Sequence, residues 1–232
     1  MKKYIFLLLL LPVWVSAQNQ LVVEATAGAD IAKMVSEQMQ YLLPEFTNGD
    51  VYYLGSSKGS GQLNYNMILG EMQFMENGQV MSLANVKNVV LVNIGNRRFY
   101  RFNDKEFAEE LLSTGAVQLR VRHRATVAPH SKKGAYGMES STSAITSYSS
   151  INEGGRQYNL NVAESMLVSM KSYYYLVRTN GKYTMIKNTK TFTKLFPAYR
   201  TQIEVFVKKR NTRFDKEEDL IALLEYCSKL NN

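Results

Sequence analysis

Two of the chain's three Asn-Gly dipeptides, Asn77-Gly78 and Asn180-Gly181, each lie between short runs of alternating apolar and polar residues. Asn-Gly readily takes the left-handed backbone that a two-residue hairpin turn needs, and this turn matches the twist of the strands it joins. A chain punctuated in this way is confined largely to antiparallel pairing. Runs at 51–54, 62–68, 72–75, 79–83, 89–94 and 97–102 read as a meander of about six short strands. The Gly/Ser run at 55–61 closes the first of them, and Leu69-Gly70-Glu71 and Gly95-Asn96 supply further turns. The 89–94 run is almost entirely β-branched or apolar and reads as a central strand. Residues 116–127 alternate cleanly, and 172–177 with 182–187 form the hairpin around Asn180-Gly181. The stretch 106–112 reads as either a short helix or a strand.

Helical spacing flanks this β-rich centre. Residues 27–43 place Ile31, Met34, Val35, Met39 and Leu42 on one stripe, with Asp30 as cap and Pro44 as stop. After residue 189 the period returns to that of a helix. Phe192, Leu195 and Phe196 precede Pro197; Tyr199, Ile203, Phe206 and Val207 follow; Leu220, Leu223, Leu224, Cys227 and Leu230 form a last stripe. Asp215 and Glu218 have capping-box spacing. The expected fold class is α+β: an antiparallel β-rich meander, as a sheet or a partly open barrel, with an N-terminal helix and C-terminal helices.

Residues 1–17 carry the marks of a secretory signal peptide: Lys2 and Lys3, an apolar run to Val15, and small residues at Ser16 and Ala17. The run is shorter than the ~20 residues of a bilayer span. No Cys lies near Ala17, so a lipoprotein anchor is not expected. The reading is an exported chain, periplasmic or secreted, with no transmembrane span after cleavage. Its mature domain is 18–232: a helical lead-in at 18–46, a β-rich part at 47–187 and a helical end at 188–232. Within it, nine of the 21 residues at 131–151 are Ser or Thr, which reads as a long loop.

The chain has 28 basic and 20 acidic residues; losing Lys2 and Lys3 leaves 26 against 20, or +6. A basic exported protein is suited to anionic envelope material, though modest positive charge also serves solubility alone. Arg120, Arg122 and Arg124 recur at every second position, so a strand places all three on one face. Like charges at that spacing repel. They call for carboxylates on a neighbouring strand, for an anionic ligand, or for a role in protecting a sheet edge. Arg97 and Arg101, flanking Phe99, extend the candidate ligand set. Nucleic acid would want stacking aromatics beside the stripe, some of which the Arg97-Phe99-Arg101 strand could supply, but export argues against it and it is not an expected partner.

Catalytic signals are weak. His123 lies on the apolar side of its strand, where one hydrogen bond satisfies it; catalysis would need a carboxylate or nucleophile beside it. The Ser-rich segment holds neither a G-x-S-x-G nor an S-x-x-K arrangement. Glu71, Glu76, Asp104 and Glu106 show no spacing that favours one carboxylate pair. The chain's two His and one Cys are too few for a structural metal site to be expected, and no cofactor is implied. Cys227 reads as a small core residue. No catalytic residue is assigned.

Several segments together resemble a family of small secreted proteins of the Bacteroidetes group. They are Phe46-Thr47-Asn48-Gly49, Leu63-Asn64-Tyr65-Asn66 with Glu71-Met72-Gln73-Phe74, and Gly134-Ala135-Tyr136-Gly137 leading to Thr142-Ser143-Ala144-Ile145. Tyr173-Tyr174-Tyr175 and Phe192-Thr193-Lys194-Leu195-Phe196-Pro197 complete the set. The resemblance implies export and a strand-then-helix layout, and brings no substrate, cofactor or catalytic residue with it. The expected function is a non-catalytic binding or structural module of the cell envelope, contacting an anionic component or another envelope protein. The alternative is an envelope hydrolase.

Overall fold

The computed structural model describes residues 20–25, 31–115, 117–129 and 164–230. The signal-like segment and the Ser/Thr-rich segment 131–151 lie outside the described residues. The fold is α+β, dominated by one antiparallel sheet. Its strands are β1 (Gln20–Ala25), β2 (Thr47–Tyr53), β3 (Lys58–Asn66), β4 (Glu71–Glu76), β5 (Gln79–Ser82), β6 (Val89–Ile94), β7 (Arg97–Arg101), β8 (Phe107–Ser113), β9 (Val117–Pro129), β10 (Glu164–Arg178) and β11 (Tyr183–Met185).

The order across the sheet is β1-β10-β9-β8-β7-β6-β2-β3-β4-β5, with β11 beside β10. The early strands therefore do not form one simple meander. β2 to β5 make one and β6 to β10 another, joined where β6 pairs with β2. β6 is an interior strand, as its β-branched run requires. The sheet curls enough for Ala125 N–H on β9 to donate to the carbonyl of Met67, just past β3 (2.9 Å). It is thus open by strand pairing yet strapped like a partial barrel.

The turns follow the local chemistry. Asn77 and Gly78 both take positive φ (51° and 77°), the geometry the dipeptide favours. Gly49 is required for a different reason: a Cβ there would stand 2.3 Å from the Asn93 carbonyl oxygen on β6. Residues 58–61 are strand and not loop, because Gly59 and Gly61 pair with Val51 and Gly49. The ambiguous 106–112 stretch resolves as β8, with Phe107 and Ala108 buried.

The single N-terminal helix expected over 27–43 is replaced by two one-turn pieces, α1 (Ile31–Met34) and α2 (Glu37–Gln40), and 20–25 is strand. Ser36 between them is extended (ψ 148°), and Val35 is buried in a cluster with Ile68. Tyr41 is already extended and bridges Asn66. Tertiary pairing has overridden a weak helical pattern. Asn64 and Asn66 organise this corner while almost fully buried. The Asn64 side chain accepts from Leu43 N–H (3.1 Å) and donates to Leu43 O (2.9 Å). Asn66 Oδ1 accepts from the N–H groups of Ile68 and Leu69, both at 3.0 Å. The Asn-Tyr-Asn motif is thereby explained as architecture.

The C-terminal helices are α3 (Thr189–Thr193), α4 (Arg200–Arg210) and α5 (Glu217–Leu230). Asn188 caps α3 in a reciprocal box with Thr191. α5 begins later than Asp215 as its cap would imply; Asp215 is paired with Arg213 instead (2.9 Å). The α5 stripe Leu220, Leu223, Leu224 and Cys227 packs on Leu119 and Val121 of β9 and Tyr174 and Leu176 of β10. Burial pushes the Cys227 thiol up to about 12. Side chains alternate along β9, so the helices that cover Leu119 and Val121 lie on the opposite face from the arginines, which side chains of the sheet's own strands and turns bury instead.

Candidate functional site: a basic aromatic cleft beside the arginine strand

β8 and β10 flank β9, and register decides what each arginine meets. Glu110 lies opposite Arg120 on β8, while Tyr175 and Tyr173 lie opposite Arg120 and Arg122 on β10. The three arginines have different fates.

Arg122 and Arg124 are internally paired. Arg122 Nη1 donates to Glu106 Oε2 (3.1 Å), and Arg124 Nη1 pairs with Glu106 Oε1. Asn103 Nδ2 holds the same carboxylate at 2.7 Å. Arg122 also lies over the Phe102 ring, 4.7 Å from its centroid. Arg124 is almost fully buried, and burial lowers its guanidinium from the ordinary value. These two share one carboxylate, which offsets one of their two charges, and Arg122 Nε, Arg124 Nε and Arg124 Nη2 have no hydrogen-bond partner among the described residues.

Arg120 is different. It is only 8% exposed, yet among the described residues no carboxylate contacts it. Glu110, opposite in register, turns to Arg98 (3.2 Å). The Arg120 guanidinium instead stacks over Tyr100 (3.9 Å) and Tyr183 (5.4 Å). Its Nη groups donate to the Tyr183 hydroxyl and to Gln118, and its Nε has no partner. Burial raises the Tyr183 phenol above its ordinary value despite Arg120 beside it. Tyr183 is fixed in turn by donating to Arg101 O (3.3 Å).

This arginine lines a cleft of about 460 Å³ together with Lys87, Arg101, Arg178, Tyr100, Tyr183 and apolar Leu54, Val89 and Val90. Among the described residues the lining holds four cations and no carboxylate. Arg178 is held by the Leu195 carbonyl (2.9 Å), and Lys87 has only a loose exposed pair with Asp104 (3.7 Å). Arg101 is exposed, and among the described residues no carboxylate pairs with its side chain. Such a surface concentrates anions and presents planar guanidinium donors to them.

Of the five arginines singled out from sequence, the cleft unites Arg120 and Arg101. Arg122 and Arg124 extend the same face but are already paired. Arg97 lies elsewhere: it grips Glu109 with two bonds (2.6 and 2.7 Å), and Glu109 also meets His123. Lys87, Arg178, Tyr100 and Tyr183 were not singled out. Arg178 and Tyr183 flank the Asn180-Gly181 hairpin, so its register was a usable signal; nothing local marks Lys87.

On the helix-covered face a hydroxyl, an imidazole and a carboxylate stand in a row. His123 Nε2 is 3.1 Å from Glu109 and Nδ1 is 3.2 Å from the Ser172 hydroxyl. Burial pushes Glu109 upward, but bonds from His123 and Arg97 outweigh it and hold the carboxyl below its usual range. With a proton on Nε2 alone, His123 donates to Glu109 and accepts from Ser172 at Nδ1, which satisfies both ring nitrogens. None of the three lines the basic cleft. The sequence also contains Gly55-Ser56-Ser57-Lys58-Gly59, a G-x-S-x-G match that lies outside the Ser-rich segment. It forms the β2–β3 turn, strand to strand, whereas a nucleophile elbow joins strand to helix.

Among the described residues no cluster of His, Cys, Asp and Glu is suited to a metal ion, and no helix is long and apolar enough to cross a membrane. No family model matches the chain, and neither a curated protein nor a solved structure shows significant similarity to it.

Proposed function

We propose that the protein is exported and serves in the cell envelope as a non-catalytic binding module, taking an anionic envelope component in the Arg120 cleft. The observation that carries this reading is Arg120 itself: a guanidinium nine-tenths buried and held by two tyrosines, at the wall of a cleft where, among the described residues, neither it nor the lining meets a carboxylate. Burying an unpaired charge is costly, and an incoming anion removes that cost. The signal-like residues 1–17 support export.

Glycerol 1-phosphate is a soluble probe of this site. Titrating it into the ¹⁵N-labelled protein should shift the amides of Tyr100, Arg101, Gln118, Arg120 and Tyr183. Shifts centred on Lys208, Lys209 and Arg210 at the end of α4 would instead mean nonspecific attraction to positive charge.

The Ser172–His123–Glu109 row favours a second reading, a hydrolase. That reading requires Ser172 to react with a fluorophosphonate in a His123-dependent manner. The binding reading expects no adduct at Ser172.

A further inference from the structure

The basic cleft does not end in polar surface. Leu54, on its wall, is 65% exposed, and Val90 beside it is 46% exposed. Val90 is turned out by a bulge: Tyr52 pairs with Leu91 and Tyr53 with Val89, which leaves Val90 as the extra residue. Leu54 is also the partition to a second cleft of about 430 Å³, lined by Tyr53, Phe74, Met81 and Leu83. Met81 is 45% exposed and lies on the edge strand β5, next to Val80 at the same exposure. A ridge of open apolar side chains thus runs along one flank of a carboxylate-free basic cleft. Contiguous exposed apolar surface rimmed by charge marks an interaction site.

Resting on the cleft reading, we propose that this face docks on an anionic phospholipid bilayer. A lipid phosphate enters the Arg120 cleft, and Leu54, Val90 and Met81 enter the boundary between headgroups and acyl chains. Charge complementarity selects this occupant. A second copy of the chain would bring Lys87, Arg101 and Arg178 against their own counterparts. A bilayer supplies phosphate at the depth of the cationic groups and hydrocarbon beyond them, so both parts of the face are satisfied together. Leu54 is well placed for insertion. It stands where the chain leaves β2 for the β2–β3 turn, and its N–H is fixed to Asn88 O (2.8 Å), which anchors its backbone.

The test uses the full chain with vesicles of phosphatidylglycerol or phosphatidylcholine, and the variant Leu54→Ser/Val90→Ser. Both side chains are exposed, so the variant should unfold at the wild-type urea concentration. Wild type should sediment with phosphatidylglycerol vesicles and stay in solution with phosphatidylcholine. Met81→Ser, outside the lining of the basic cleft, should weaken partitioning severalfold while keeping its affinity for glycerol 1-phosphate, and the double variant should lose about tenfold or more in partitioning. If it partitions as well as wild type, the ridge does not insert and the proposal fails. If wild type binds glycerol 1-phosphate but ignores the vesicles, bilayer docking fails while the cleft reading stands. If it binds neither, both fail. A wild-type dimer in sedimentation, dissociated by the same variant and indifferent to vesicles, would assign the ridge to self-association and overturn the proposal.

Discussion

Glu106→Ala should destabilise the protein by about 3–5 kcal/mol, the cost of leaving buried cations without their counter-charge. Glu106 is itself buried and is the shared partner of Arg122 and Arg124. Gly70 seals the other side: a Cβ there would meet Glu106 Oε1 at 3.1 Å and Arg124 Nη1 at 3.4 Å. Removing the whole group is a different matter, because replacing a buried ionic triad by apolar side chains is often neutral or better. Glu106→Leu/Arg122→Met/Arg124→Met should accordingly recover most of the loss. Urea unfolding of the two variants beside wild type checks both statements. A loss below about 1 kcal/mol for Glu106→Ala, the value of an exposed pair, would show that the arginines are solvated and do not depend on Glu106.

Asn64→Ala should cost about 2–3 kcal/mol, because buried backbone groups would lose their partners. The Asn64 amide substitutes for a strand at this corner. It closes both hydrogen bonds to Leu43, reaches Glu45 O (3.3 Å), and accepts from its own neighbour Tyr65 N–H (2.8 Å). Alanine satisfies none of these. Thermal unfolding reports the magnitude, and hydrogen exchange at the Leu43 amide reports the mechanism. That amide should lose its protection in the variant; continued protection would mean that another acceptor takes over and that Asn64 does not pin the segment.

What was legible in the sequence was what depends on short-range pattern. The Asn-Gly turns, the β-branched β6, the alternation of β9 and the α5 stripe all reflect a period or a dipeptide with one dominant outcome. The arginine face was legible for the same reason, since alternation alone puts Arg120, Arg122 and Arg124 together. Their different fates were not. Whether a guanidinium finds Glu106 or Tyr100 depends on which strands lie alongside β9 and in what register, and the bulge between Glu110 and Leu112 shifts that register. The cleft was hidden for a similar reason. It draws Leu54, Lys87, Tyr100, Arg120, Arg178 and Tyr183 from separate turns and strands, and β6 reaches β2 only by passing over a complete meander. The 27–43 segment failed in the opposite direction: its helical spacing is real, but the sheet's need to pair Asn66 and to bury Val35 outweighs it.

Arg120 has no carboxylate partner among the described residues, and the proposal is that an external anion takes that place. Calorimetric titration of glycerol 1-phosphate into wild type, Arg120→Met and Lys208→Gln/Lys209→Gln/Arg210→Gln tests it most directly. Arg120→Met leaves no carboxylate stranded, so its fold should persist, and it should weaken binding by about tenfold or more, as losing a charge-assisted donor set does. The α4 variant, which removes more charge at a distance from the cleft, should bind within about twofold of wild type. Equal weakening in the two variants, or none in Arg120→Met, would contradict the account, since affinity would then follow net charge and not this site.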